Sequence, residues 1–283
     1  MRAKKSLGQH FLMHPAIARR IVHVAATTVS GGSLDVPQSG AFRGDTVLEV
    51  GPGKGMLTRA LLDAGARVVA VEADEALVAG LRARFAEEIA GGRLELVHDD
   101  IRNFFKYPQK MTTVQNSGYR VVANIPYYIT GEIIRMFLES EHQPRSMTLL
   151  VQKEVAERIA RAKKESVLSL SVKAYGEPHY EFTVPRGAFV PAPGVDSAIL
   201  SIRNISRQHF ASSAEEKYFF KLIHAGFAHK RKYLRGNLAA AGLPVPADLL
   251  AADVPEKARA EDLALADWLT LSRVEGLAFT LAQ

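Results

Sequence analysis

The chain alternates short apolar runs with amphipathic ones. Thr46-Val-Leu-Glu-Val50 and Arg67-Val-Val-Ala-Val-Glu72 are β-branched and too short for helices, so they predict buried strands. Between them Gly51-Pro-Gly-Lys-Gly55 interrupts the pattern, and residues 56–64, rich in helix formers, predict a helix. The alternation continues with a helix over 74–90, strands over 94–98 and 120–124, a helix over 131–139 and a strand over 147–151. Short apolar strands separated by helices predict an α/β chain whose parallel sheet is covered on both faces. Residues 30–44 and 107–118 carry Gly, Pro, Ser and Asn without periodicity and predict surface loops.

The texture changes after Ile202. Ser206-Arg-Gln-His-Phe-Ala-Ser-Ser213 is a polar connector, and residues 215–281 are helical by pattern, with breaks at Gly242, Pro244, Pro246 and Pro255. The expected division is a first domain over 1–204 and a small all-helical domain over 205–283. Leu263, Leu265, Ala266, Trp268 and Leu269 are the expected core of the second. The two halves share no internal repeat.

Composition removes several classes of chemistry. The absence of cysteine among 283 residues excludes disulfides, thiolate metal sites and cysteine nucleophiles. The nine histidines stand at no metal-ligand spacing and no nucleophile–base constellation is visible, so no metal and no hydrolase are expected. There is no apolar run of membrane-spanning length, and the opening residues are polar and basic with no signal-like stretch, so the expectation is a cytoplasmic protein. A net charge of +6 favours a polyanionic partner. Lys230, Arg231, Lys232 and Arg235, expected within two helical turns and interleaved with Phe227 and Tyr233, are the candidate phosphate contacts.

Three local patterns suggest a nucleoside ligand. The glycine turn after the first strand lets a ligand approach the backbone at a helix N-terminus. Its sixth position is Met56, which does not support the dinucleotide fingerprint G-x-G-x-x-G/A. Glu72 ends the second strand where a carboxylate can accept ribose hydroxyls, and Asp99 or Asp100 after the next strand can accept an exocyclic adenine amine. Asn124-Ile-Pro-Tyr127 closes a further strand. Proline stiffens the turn, leaving the Asn124 side-chain oxygen and the Ile125 carbonyl as acceptors beside an aromatic face. Two acceptors can hold the hydrogens of an exocyclic amine and aim its lone pair at an electrophile, while Tyr127 stacks on the extruded base.

In this order Gly51-Pro-Gly-Lys-Gly55, Glu72, Asp100 and Asn124-Ile-Pro-Tyr127 resemble the S-adenosylmethionine-dependent N6-adenine methyltransferases. Ser6-Leu-Gly-Gln-His-Phe-Leu12, Phe189-Val-Pro-Ala-Pro-Gly-Val-Asp-Ser197 and Gly226-Phe-Ala-His-Lys-Arg-Lys-Tyr-Leu-Arg-Gly-Asn-Leu238 are similar to segments of the ribosomal RNA adenine dimethyltransferases. The resemblance implies a Rossmann-like methyltransferase sheet, mostly parallel with one antiparallel strand, and a small helical domain. It also implies that Gln9, His10 and Leu12 cover the cofactor, that Gly51, Gly53, Glu72, Asp100 and Asn124 bind it, and that Tyr127 and Phe189 sandwich the target adenine. The implied reaction is dimethylation of N6 of two adjacent adenosines in the 3′-terminal hairpin of small-subunit (16S) rRNA, late in 30S biogenesis. A monomer is expected because the chain is long enough for a core of adequate size and its expected partner is very large. The related large-subunit resistance methyltransferases are the runner-up. Gly194 and Gly131-Glu132 depart from the residues common in the family beside the target-base loops.

Overall fold

The computed structural model describes residues 9–27, 42, 44–106, 114, 118–243 and 254–280, with side chains to residue 273. Most of the loops expected at 30–44 and 107–118, and the breaks at Pro244 and Pro246, lie outside the described residues.

The first unit comprises residues 1–156 and 177–205. Its elements begin with β1 (Phe11–Leu12), α1 (Pro15–Thr27), β2 (Thr46–Val50), α2 (Met56–Asp63), β3 (Arg67–Glu72), α3 (Glu75–Arg84), α4 (Ala86–Ala90), β4 (Leu94–His98), α5 (Ile101–Lys106) and β5 (Tyr119–Asn124). A 3-10 turn (Tyr127–Ile129) leads into α6 (Thr130–Glu139) and β6 (Ser146–Gln152). α7 (Lys153–Ala160) runs across the boundary of this unit and α8 (Val167–Tyr175) belongs to the second, after which the chain returns with β7 (Glu177–Val184), β8 (Phe189–Val190) and β9 (Ser197–Arg203). Seven strands form one sheet in the order β4-β3-β2-β5-β6-β9-β7, with β9 antiparallel to both neighbours and the other pairings parallel. The order reverses between β2 and β5, and in open α/β sheets ligands bind beyond the carboxyl ends of the strands at such a switch point.

The expected strands at 46–50, 67–72 and 94–98 form with those bounds. The helix expected over 74–90 divides into α3 and α4 at Phe85, whose side chain is fully buried beneath the glycine turn. A separate two-stranded pairing joins β1 to β8, Leu12 opposite Phe189, so the chain's start is tied to a segment far along it. Arg120 of β5 is buried. Its Nη1 donates to the carbonyls of Ala25 (2.7 Å) and Ala26 (3.2 Å), satisfying the last turn of α1, and its Nη2 pairs with Asp45 at 2.8 Å.

The second unit comprises residues 157–176 and 206–283. It is discontinuous, which a linear division at 204/205 does not anticipate: Leu170 and Ala174 of α8 are buried in one cluster with Phe219, Leu222 and Trp268. The Ser166–Ser169 capping box starts α8. The remaining helices are α9 (Ser213–Gly226), α10 (Leu234–Ala240) and α11 (Leu265–Thr280). Of the expected core positions, Leu263, Trp268 and Leu269 are buried, Leu265 packs against them and Ala266 is exposed.

The basic run differs from its expectation. Lys230, Arg231 and Lys232 lie in a turn between α9 and α10, not on a helix, and Arg235 alone is helical. The break has a packing cause. Any Cβ on Gly226 would lie 2.4 Å from Trp268, and Asn237 Nδ2 donates to the carbonyls of Gly226 (2.6 Å) and His229 (3.1 Å), ending the helix there. All four cations are exposed, and Arg235 pairs with Glu256 at 3.0 Å.

Candidate active site

One pocket at the switch point is lined by Gln9, His10, Leu12, Gly51, Gly53, Glu72, Asp100, Asn124, Ile125 and Tyr127, drawn from β1 and the segment leading into it, the glycine turn and the ends of β3, β4 and β5. The glycine turn is held by β3. Glu72 accepts the Gly53 N–H on Oε2 (3.1 Å) and the Asp74 N–H on Oε1 (3.0 Å). Burial raises its pKa against these donors. Gly51, Gly53 and Gly55 all have left-handed backbones, with φ of 66°, 58° and 76°.

The covering strand adds further contacts. Gln9 Nε2 donates to Asp74 at 3.4 Å, and Leu12 is buried in the wall. Asp100 accepts both the Nε (2.9 Å) and Nη2 (2.6 Å) of Arg102, and this guanidinium holds the Asp100 carboxyl below the usual carboxylate range.

At the end of β5, Asn124 Nδ2 donates to the His10 carbonyl at 2.9 Å. That bond fixes the rotation of the amide and leaves Oδ1 as its acceptor. Tyr127 is anchored by a 2.6 Å hydrogen bond between its hydroxyl and Ser197 of β9, and burial raises its pKa. The ring stacked on it is His10, with centroids 5.6 Å apart and planes 23° from parallel; His10 Nδ1 is 2.8 Å from the Pro191 carbonyl. Phe189, expected opposite Tyr127, is only 2% exposed, packs in the core and does not line the pocket. Its pairing opposite Leu12 accounts for that inward position.

Sequence reasoning missed several lining residues. Lys54, Phe11 and Arg102 are among them. Glu49 is another: it sits inside β2, 1% exposed, in the pocket wall. Its signal was available, a lone carboxylate within an apolar strand. Burial pushes its pKa up to about 8, with Thr58 opposing and Glu72 adding to the rise. The unfolded chain ionises this carboxyl near 4.5, so Glu49 lowers stability progressively as pH rises from about 4.5 to about 8. Glu49→Gln should therefore gain on the native chain across that window, and thermal midpoints measured from pH 5 to pH 8 should show the gap widening upward.

The pocket suits a nucleoside-bearing cofactor. Glu49 Oε2 is buried without a hydrogen-bond partner among the described residues. A Cβ on Gly51 would meet nothing nearer than the Asn124 carbonyl at 4.0 Å, leaving room for a ligand between turn and strand end. Hydroxyl and amino donors match such a carboxylate-rich wall. Among the described residues no group of three or more His, Cys, Asp or Glu is placed to hold a metal ion.

The model of the ribosomal RNA adenine dimethylase family matches residues 1–275. The chain belongs to this family. Relatives named ribosomal RNA small subunit methyltransferase A include those of Dehalococcoides mccartyi, 39% identical over 96% of this chain and 88% of the relative, and Synechocystis, 36% identical over 96% of each. Among solved structures, the 23S rRNA methyltransferase ErmE superposes with a TM-score of 0.69 at 26% identity, covering 94% of this chain and 99% of that one. A dimethyladenosine transferase from Plasmodium falciparum shares the fold, with a TM-score of 0.70 at 24% identity over 94% and 98% of the two chains. The Rossmann-like methyltransferase fold and the use of S-adenosylmethionine are those of the family.

Proposed function

We propose that this chain dimethylates N6 of two adjacent adenosines in the 3′-terminal hairpin of small-subunit (16S) rRNA, as a cytoplasmic monomer acting on a 30S precursor. Family membership and the small-subunit relatives support the reaction class. Among the described residues no helix is long and apolar enough to cross a membrane. The observation that carries the chemistry is the Asn124 amide, its nitrogen committed to the His10 carbonyl and its oxygen left to accept.

S-adenosylmethionine, when bound, supplies an electrophilic methyl group. The glycine turn and Glu72 would hold its ribose end, Asp100 its adenine, and Gln9, His10 and Leu12 would cover it. In the first transfer Asn124 Oδ1 and the Ile125 carbonyl would accept the two N6 hydrogens, drawing the amine out of conjugation and aiming its lone pair at the methyl carbon; in the second only one hydrogen remains for them, and after each transfer the methylated nitrogen releases one proton to water. The gain comes from alignment and fixed dipoles, so no strong base is required to start the transfer. Tyr127, held by Ser197, gives the base a surface of fixed tilt. Phe189 would form the other side of the sandwich only by turning out of the core.

The test is labelled methyl transfer from S-adenosylmethionine to small ribosomal particles purified from cells lacking the modification. The expected product on nucleoside analysis is N6,N6-dimethyladenosine in small-subunit RNA. Label confined to large-subunit RNA would overturn the substrate assignment.

The basic turn gives an independent check. Replacing Lys230, Arg231 and Lys232 by glutamine should weaken RNA binding and flatten the plot of log affinity against log salt by roughly two units. Titrations between low and physiological salt read this directly.

A further inference from the structure

The 3-10 turn after Pro126 sends two consecutive tyrosines in different directions. With about three residues per turn, successive side chains diverge by about a third of a circle. Tyr127 goes inward to Ser197, whereas Tyr128 stays at the pocket's edge and is 62% exposed. Among the described residues it is the most exposed large hydrophobic side chain; the other exposed ones are Met13, Val190, Val195 and Tyr233, and none of those lines the pocket. Arg102 lines the same pocket, its guanidinium held by Asp100 and its side chain 47% exposed.

We propose that Tyr128 is a stacking platform for the nucleotide next to the one whose base enters the pocket, with Arg102 facing the phosphate that joins them. The inference rests on the function proposed above. A base can enter the pocket only if its strand is unstacked there, and the neighbour then loses a stacking partner at the moment an exposed phenol ring lies beside the entrance. An aromatic face replaces that partner without regard to sequence, and a fixed arginine suits the phosphate between two splayed bases. The same arrangement keeps the second adenosine at the pocket mouth while the first is inside, which suits an enzyme whose targets are adjacent.

The test compares Tyr128→Ala, Tyr128→Phe and the native chain on reconstituted small-subunit particles, measuring KM, kcat and the binding of S-adenosylmethionine. Tyr128→Ala should raise KM for the particle roughly five- to 150-fold, the range for one lost base–aromatic stack. Cofactor affinity should stay within twofold, and Tyr128→Phe should restore KM because the ring remains. Particles carrying an abasic nucleotide at the neighbouring position, tried on each side in turn, should abolish the difference between Tyr128→Ala and the native chain on one side. An unchanged KM in Tyr128→Ala overturns the proposal. So does an equal loss on intact and both abasic particles, which would mean a structural role. Failure of the native chain to form dimethyladenosine on intact particles would instead sink the function on which the proposal rests.

Discussion

Asn124→Ala is expected to lower turnover by roughly two to three orders of magnitude, the cost typical of removing one fixed polar group at a reacting centre. The structure separates that effect from folding. Asn124 makes one side-chain hydrogen bond, to the His10 carbonyl, and sits at a strand end, so its loss should cost only about 1 kcal/mol of stability. Thermal midpoint and turnover measured on the same preparation should thus diverge. Asn124→Asp sharpens the reading. It keeps an acceptor oxygen but places a second oxygen against the His10 carbonyl, so it should also fail, by tilting the group and loosening residues 9–12. Near-normal turnover in Asn124→Ala would remove the acceptor loop from the mechanism.

The second large effect is on stability. Gly55→Ala places a Cβ 2.5 Å from Phe85 and 2.9 Å from Leu81, at a residue whose φ is 76°. Left-handed strain and overpacking together come to about 3 kcal/mol, a fall in thermal midpoint on the order of 10 °C. Gly80→Ala is the control. That glycine lies within α3, a Cβ there meets nothing within 4 Å, and the exchange should stabilise the chain by up to about 1 kcal/mol. Calorimetry on the pair distinguishes the need for glycine at a turn from a general sensitivity to added bulk.

Much of the sheet was legible because its central strands are buried on both faces and so appear as continuous apolar runs. Thr46–Val50 and Arg67–Glu72 are such strands, and residues that follow their ends, with the turn after Asn124, carry the ligand-facing groups. β7 gives a weaker signal: only Phe182 and Val184 are buried, and its pairing with β9 slips between Tyr180 and Phe182. The division of the helix at Phe85 was hidden because helix-forming residues continue through it, and what turns that ring inward is the glycine turn 30 residues earlier. The basic run read as helix because propensity does not register Trp268 packed against Gly226.

In the site, motifs within one turn were readable: the glycines, Glu72 and Asn124-Ile-Pro-Tyr127 meet in one wall. Side-chain direction was not. Phe189 faces the core because of its register opposite Leu12, His10 meets Tyr127 because β1 lies over β5's end, and Tyr128 faces outward because of a single 3-10 step. The first two depend on pairings between residues far apart in the chain, which spacing along the sequence does not encode, and the third on a change of helical step that helix propensity does not register.

The place of β9 bears on how this protein is made. It lies between β6 and β7 although it follows both in the chain, and it supplies Ser197, to which Tyr127 is bonded. During synthesis β7 emerges before the strand that will pair with it, and the covering strand β1 waits still longer in sequence for its partner at Phe189–Val190. Until residue 190 has left the exit tunnel the covering strand of the pocket has no partner, and until residue 203 has left it the sheet is incomplete. A protein whose proposed substrate is the ribosome is therefore incompetent toward it through most of its own translation, and a chain released early exposes an unpaired strand edge that chaperones and proteases can recognise.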